Sequence, residues 1–177
     1  RMSEPEMKYQ FSSNSLNLVI FCSCAMLLSF GFYLELAEGL MPCPLCTLQR
    51  FMFGIGGSLA LVAWVHNPKK GGVIIYSLLN GALFCLGAVL AGRQIYLQSL
   101  PPHLVPSCGP DLEYLLDVFP FFQVIEMVVM GDGSCAETLW EFLGLSIPDW
   151  TMISFFLLIG VCIVQTLIEK RNFQRII

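Results

Sequence analysis

The sequence predicts an all-α membrane protein: a four-transmembrane-helix bundle with one long loop that carries a short membrane-lying helix. Three observations lead there. Of 177 residues, 56% are hydrophobic and only 12% are charged, about half the charged share usual for a soluble domain. Four segments are each long and apolar enough to span a bilayer, which takes roughly 20 residues of helix. Lysine and arginine also fall on alternate connections, as the positive-inside rule requires of an even number of spans.

The elements follow in order. The first span is 16–34, LNLVIFCSCAMLLSFGFYL, which holds no charge. It is long for the apolar region of a signal peptide, and Glu35 and Glu38 follow it where small residues of a cleavage site would be expected. The second span is 44–65, free of charge after Arg50, and the third is 73–92. The fourth is 151–168, TMISFFLLIGVCIVQTLI. A fifth apolar stretch, 118–130, has only 13 residues and contains Pro120 and Glu126. That length suits a segment lying in the interface better than one crossing it.

Orientation comes from charge. Lys8 precedes the first span, Lys69 and Lys70 sit between the second and third, and Lys170, Arg171 and Arg175 follow the fourth. The segment 93–150 has Arg93 as its one basic residue and carries eight Asp and Glu. Both termini and the 66–72 turn are therefore expected on the cytoplasmic side, with loops 35–43 and 93–150 outside, in one integral membrane domain spanning 1–177. A net charge of −4 argues against nucleic acid as a partner. No GxGxxG, phosphate-loop or HExxH pattern is present, so nucleotide and zinc-protease chemistry have no footing.

The eight cysteines divide evenly. Cys22, Cys24, Cys85 and Cys162 lie inside apolar runs, where a thiol is ordinarily a small buried hydrophobe. Cys43, Cys46, Cys108 and Cys135 lie in or beside the outer loops, the side on which disulfides persist. They form two sets: CPLC at the lip of the second span, and Cys108 with Cys135, with 26 residues between them.

CPLC has helix-start chemistry. Pro44 suits the first helical position, which makes Cys43 the expected N-cap and puts Cys46 in the first turn. Unpaired N–H groups and the positive end of the helix dipole favour a thiolate there, the species that attacks a disulfide or leaves from one. Arg50, four residues after Cys46, is expected one turn deeper on the same face. A cation at the edge of the hydrocarbon is costly, so an anionic or electron-rich group should offset it: the Cys46 thiolate, a lipid phosphate, or the carbonyl of a membrane-dissolved oxidant.

Other readings remain open at the level of the residues. Arg50 could be an interfacial anchor that snorkels to headgroups. CPLC could be half of a zinc site completed by Cys108 and Cys135, although metal knuckles usually come as two close pairs. Cys108 and Cys135 could be a structural staple. Arg93 reads as an interface anchor or as a second cation beside Arg50.

Taken together, PCPLCTLQR at the second span, Cys108 in LPPHLVPSCGP and Cys135 in GDGSCAETLWEFLGLSIPDW resemble the disulfide-bond formation protein B (DsbB) family of bacterial inner membranes, over about 16–168. The resemblance implies a thiol:quinone oxidoreductase that takes two electrons from a DsbA-like periplasmic thiol oxidase and passes them to ubiquinone or menaquinone. It implies that the partner's thiolate attacks Cys108, that Cys135 then attacks Cys43, and that the freed Cys46 contacts the quinone while Arg50 holds a quinone oxygen. It leaves the proton donor unassigned among Gln94, Gln98 and His103. A vitamin K epoxide reductase-like oxidoreductase fits less well, because in those proteins the loop pair precedes the CxxC. A tetraspan scaffold with structural disulfides would also satisfy the hydropathy, but it has no need of an arginine beneath a CxxC.

Overall fold

The computed structural model describes residues 4–39, 42–68, 70–101, 103–105, 112–131, 133–138 and 140–174. Cys108, Lys69 and Arg175 lie outside them. Four long helices dominate: α1 (Glu4–Glu38), α2 (Pro44–His66), α3 (Lys70–Gln98) and, after the outer segment, α7 (Ile147–Gln174). Each is long and apolar enough to cross a membrane. All four run beyond the expected spans, α2 by a single residue, because helix geometry continues into the polar flanks, carrying Glu35 on α1 and Gln94 and Gln98 on α3.

Between α3 and α7 lie the short helices α4 (Leu112–Val118), α5 (Phe121–Met130) and α6 (Gly133–Ala136), then a two-stranded hairpin of β1 (Glu141–Phe142) and β2 (Leu145–Ser146). The apolar stretch at 118–130 is thus broken. Pro120 ends the preceding turn and caps α5, accepting from the N–H groups of Gln123 and Val124. One face of α5 is buried through Val124 and Val128, while Phe121 and Phe122 stand exposed. The hairpin is not foreseeable from alternation, since its strands are two residues long. Leu143 and Gly144 hold it with φ of 56° and 76°, the paired positive angles of a type I′ turn.

Capping sets where the long helices begin. Pro44 opens α2 and Cys43 is its N-cap, at φ −68° and ψ 162°. Asn67 closes that helix in the left-handed region and returns its N–H to Ala63. At the start of α7, Asp149 accepts from the Ser146 backbone N–H at 2.9 Å and from its hydroxyl at 2.6 Å, the reach-back half of a capping box.

The helices pack in a ring, α1 on α2, α2 on α3, α3 on α7 and α7 back on α1. The central core is aromatic: Phe53 of α2 stacks on Phe155 of α7 with ring centroids 4.1 Å apart, and Phe84 of α3 closes against the same ring. Small residues make room. A Cβ added at Gly87 would strike the Phe155 ring, and one at Gly57 would come within 2.9 Å of Cys24 Cβ, the close approach that membrane helices use for packing. Away from the outer loops, Gln165 donates to Asn17 across the bundle at 2.9 Å and Ser77 donates to the Cys162 carbonyl at 2.7 Å. The outer surface of the ring carries Phe51, Ile55, Leu86, Val89, Phe156 and Leu157, as a lipid-facing wall must.

Candidate active site

At the end of the bundle where α2 begins, a second apolar cluster gathers Cys43, Leu45, Leu97 and Cys135, with Cys46 packed against it. The N-cap geometry determines how the CPLC sulfurs sit. Cys43 Sγ accepts from the Cys46 backbone N–H at 3.3 Å, and the two sulfurs lie 2.9 Å apart. They are thiols at hydrogen-bond distance, close enough to bond with little movement. Helix α6 brings Cys135 to the other side of Cys43. Hydrogen bonds to Cys135 and then to Cys46, with burial, push the Cys43 thiol well up from its ordinary value. Cys43 therefore stays protonated and donates to the Cys46 sulfur.

Two glutamines complete this end of the site. Gln94 of α3 turns its amide nitrogen toward both sulfurs, 3.3 Å from Cys43 and 3.1 Å from Cys46. Its carbonyl oxygen accepts from Gln49 Nε2 at 2.8 Å. Both glutamines are 3% exposed.

These groups open onto a cleft of about 350 Å³ between α1, α2, α3, α7 and the hairpin. Cys46, Gln49, Arg50, Gln94 and Gln98 form its polar part, and Leu27, Leu34, Phe53 and Trp150 are among its apolar walls. The hairpin closes one side with aromatic rings: Trp140 meets Phe30 edge-on and stacks on Phe142, and the Trp150 indole N–H donates to the Phe142 carbonyl. An enclosed apolar space with a few convergent polar groups is the usual form of a small-molecule site.

Arg50 stands on the wall of this cleft, as the spacing from Cys46 predicts, but the group that offsets its charge comes from α1. Its guanidinium pairs with Glu35, donates to the Gly31 carbonyl at 3.1 Å and lies over the Phe32 ring, 5.1 Å from the centroid. The sequence analysis named neither Glu35 as the counter-ion nor Gln49 as a neighbour. The signal for Gln49 was present: a polar side chain three residues after Cys46, inside a span where polar groups are costly. The partner of Glu35 was not readable, because the two residues lie on different helices.

Arg93 does not join Arg50. It donates to the Met130 carbonyl and covers the Tyr96 ring, tying α3 to the end of α5. His103 is exposed. Cys24 and Cys162 are buried core residues, whereas Cys22 and Cys85 lie on the outer surface of the bundle. A lipid-facing position serves an apolar thiol as well as a core one, so hydropathy alone did not separate the two cases.

The same features recur in known proteins. The sequence profile of the family described as "Disulfide bond formation protein DsbB" matches residues 13–165. A disulfide bond formation protein B of Hahella chejuensis is 46% identical over 144 residues, covering 81% of this chain and 87% of the relative. That of Marinobacter nauticus is 49% identical over 141 residues, covering 80% and 84%. That of Stutzerimonas stutzeri is 40% identical over 156 residues, covering 88% and 96%. With four membrane-length helices, a CPLC pair at the start of the second and a match along nearly its whole length, the chain belongs to the DsbB family of disulfide bond formation proteins.

Proposed function

We propose that the chain is a thiol:quinone oxidoreductase of the bacterial inner membrane that reoxidises a DsbA-like periplasmic thiol oxidase, with both termini cytoplasmic and Cys43, Cys46, Cys108 and Cys135 on the periplasmic side. The observation that carries this reading is the placement of the Cys46 sulfur: it touches Cys43, which packs on Cys135, and it lines the same cleft as Arg50. A dithiol path thus ends in an apolar cleft next to a fixed cation. The cleft fits a quinone head group, with apolar walls for the ring and Arg50 as a donor for an oxygen.

The residues divide the work as follows. Cys108 takes the attack of the partner's thiolate and forms a mixed disulfide, releasing Cys135. Cys135 attacks Cys43, its neighbour in the packed cluster, and displaces Cys46 from the Cys43–Cys46 disulfide. The attack of the partner's second thiol on the mixed disulfide frees Cys108, which attacks Cys135 of the Cys43–Cys135 disulfide, re-forming the Cys108–Cys135 bond and releasing Cys43 as a thiol. Cys46 then faces the cleft with donors on two sides, Cys43 and Gln94. A bound ubiquinone or menaquinone supplies the acceptor for two electrons and two protons. Arg50 holds a quinone oxygen and stabilises the negative charge that builds there, and Trp140, Phe142 and Trp150 exclude water from the cleft.

The test is quinone reduction by the purified protein with a reduced DsbA-like partner. Activity should vanish in Cys46→Ser while mixed-disulfide trapping at Cys108 persists. Full turnover in Cys46→Ser would remove the relay.

A further inference from the structure

We infer that Gln94 is a further catalytic residue: its amide donates to the Cys46 sulfur when that sulfur carries negative charge, and it speeds electron delivery rather than quinone binding. The inference rests on the thiol:quinone reading above and deepens it.

The geometry has two parts. The Gln94 amide nitrogen is within hydrogen-bond distance of both reacting sulfurs, and nearer to Cys46. A side-chain amide can turn over, so contact alone would not make it a dedicated donor. Gln49 Nε2 donates to the Gln94 oxygen at 2.8 Å, and a charged Cys46 sulfur, which can only accept, favours the same sense, with the Gln94 nitrogen toward it. Both side chains are buried, and two amides in an apolar helix interface cost stability unless they are fully bonded.

The chemistry gives the pair a use. In the reducing step Cys43 and Cys46 lose two S–H bonds and form one S–S bond, and two electrons and two protons pass to the quinone, leaving quinol. Cys46 must hold negative charge before it gives up its electrons. A hydrogen bond to a charged group is roughly twice as strong as one between neutral groups, so the Gln94 donor favours the charged sulfur over the thiol. The carbonyl of Gln94 accepts from Gln49 and stands 3.5 Å from the Cys46 sulfur, farther than the amide nitrogen at 3.1 Å.

The experiment uses the purified full-length protein with dithiothreitol as electron donor and a short-chain ubiquinone as acceptor. Gln94→Met keeps the side-chain length and removes the donors. It should lower kcat about tenfold, the size expected for losing one hydrogen bond to a charged group, and leave KM for quinone within about twofold. Alkylation of Cys46 by iodoacetamide in the reduced protein, followed by peptide mass spectrometry without quinone, should slow by a similar factor. Gln94→Glu, nearly isosteric but acceptor-only, should slow both at least as much, and Gln49→Met should have a smaller effect in the same direction. If Gln94→Met does not accumulate, the other two variants carry the comparison. Wild-type kcat together with wild-type Cys46 alkylation in Gln94→Met would overturn the inference. A raised KM with unchanged kcat would also overturn it, making Gln94 part of the quinone wall. If Cys46→Ser stays active, the relay reading fails instead, and the alkylation rates still judge the role of Gln94 toward the sulfur.

Discussion

Arg50 of α2 and Glu35 of α1 form an ion pair beside the cleft that holds the Cys46 sulfur. Both side chains are partly exposed, at 24% and 35%, so the pair itself adds on the order of 1 kcal/mol or less. Its larger effect is on orientation. With one amino group on Glu35, another on the Gly31 carbonyl and Phe32 beneath, the guanidinium is held on α1 at a constant position.

Arg50→Ala is therefore expected to raise the apparent KM for quinone by about tenfold, the loss of one charge-assisted hydrogen bond, with mixed-disulfide trapping at Cys108 unchanged. Glu35→Gln keeps a hydrogen-bonding partner and should raise KM less than Arg50→Ala, with a melting temperature in detergent within a few degrees of wild type. Steady-state kinetics at varied quinone checks both, and unchanged quinone dependence in Arg50→Ala would leave it an interfacial anchor.

Cys43 should react slowly with alkylating reagents in the reduced protein. Its thiol is held protonated by Cys135 first and Cys46 second, so even at pH 8 its alkylation should stay far slower than that of an ordinary thiol. Cys135→Ala removes the leading cause and should speed the reaction severalfold. Peptide mass spectrometry after timed labelling reads it directly.

The remaining thiols should sort by environment. Cys24 and Cys162, buried in the bundle, are expected to resist every maleimide until the protein is denatured. Cys22 and Cys85, on the outer surface, should resist a charged maleimide in membranes yet accept a lipophilic one, because only the latter partitions into the hydrocarbon.

Packing at the aromatic core makes a stability prediction. Gly87 faces the Phe155 ring with no room for a side chain, so Gly87→Val should destabilise the bundle by about 1–3 kcal/mol. Phe155→Ala, which deletes a ring stacked on Phe53 and touching Phe84, should cost about 3–5 kcal/mol. Thermal denaturation in detergent checks both, and a Gly87→Val protein as stable as wild type would show that α3 and α7 pack less closely than described.

The amino-acid sequence alone determined the four-helix membrane architecture, because bilayer thickness leaves helix length and charge as the only free quantities. It determined the start of α2 as well: Pro44 and Cys43 are local, and a cap depends on residues within one turn. The family could be recognised from CPLCTLQR and the segment around Cys135 for the same reason, since motifs are runs of adjacent residues. Tertiary structure alone decided which groups answer each other across helices. The pairing of Arg50 with Glu35, the separation of Arg93 from that pair, the amide of Gln94 bonded to Gln49 and set against two sulfurs, and the hairpin that walls the cleft all depend on the rotation and depth of one helix against another. Those quantities are set by the fit of rings such as Phe53 and Phe155 into gaps left by glycines, a three-dimensional match that no one-dimensional period records.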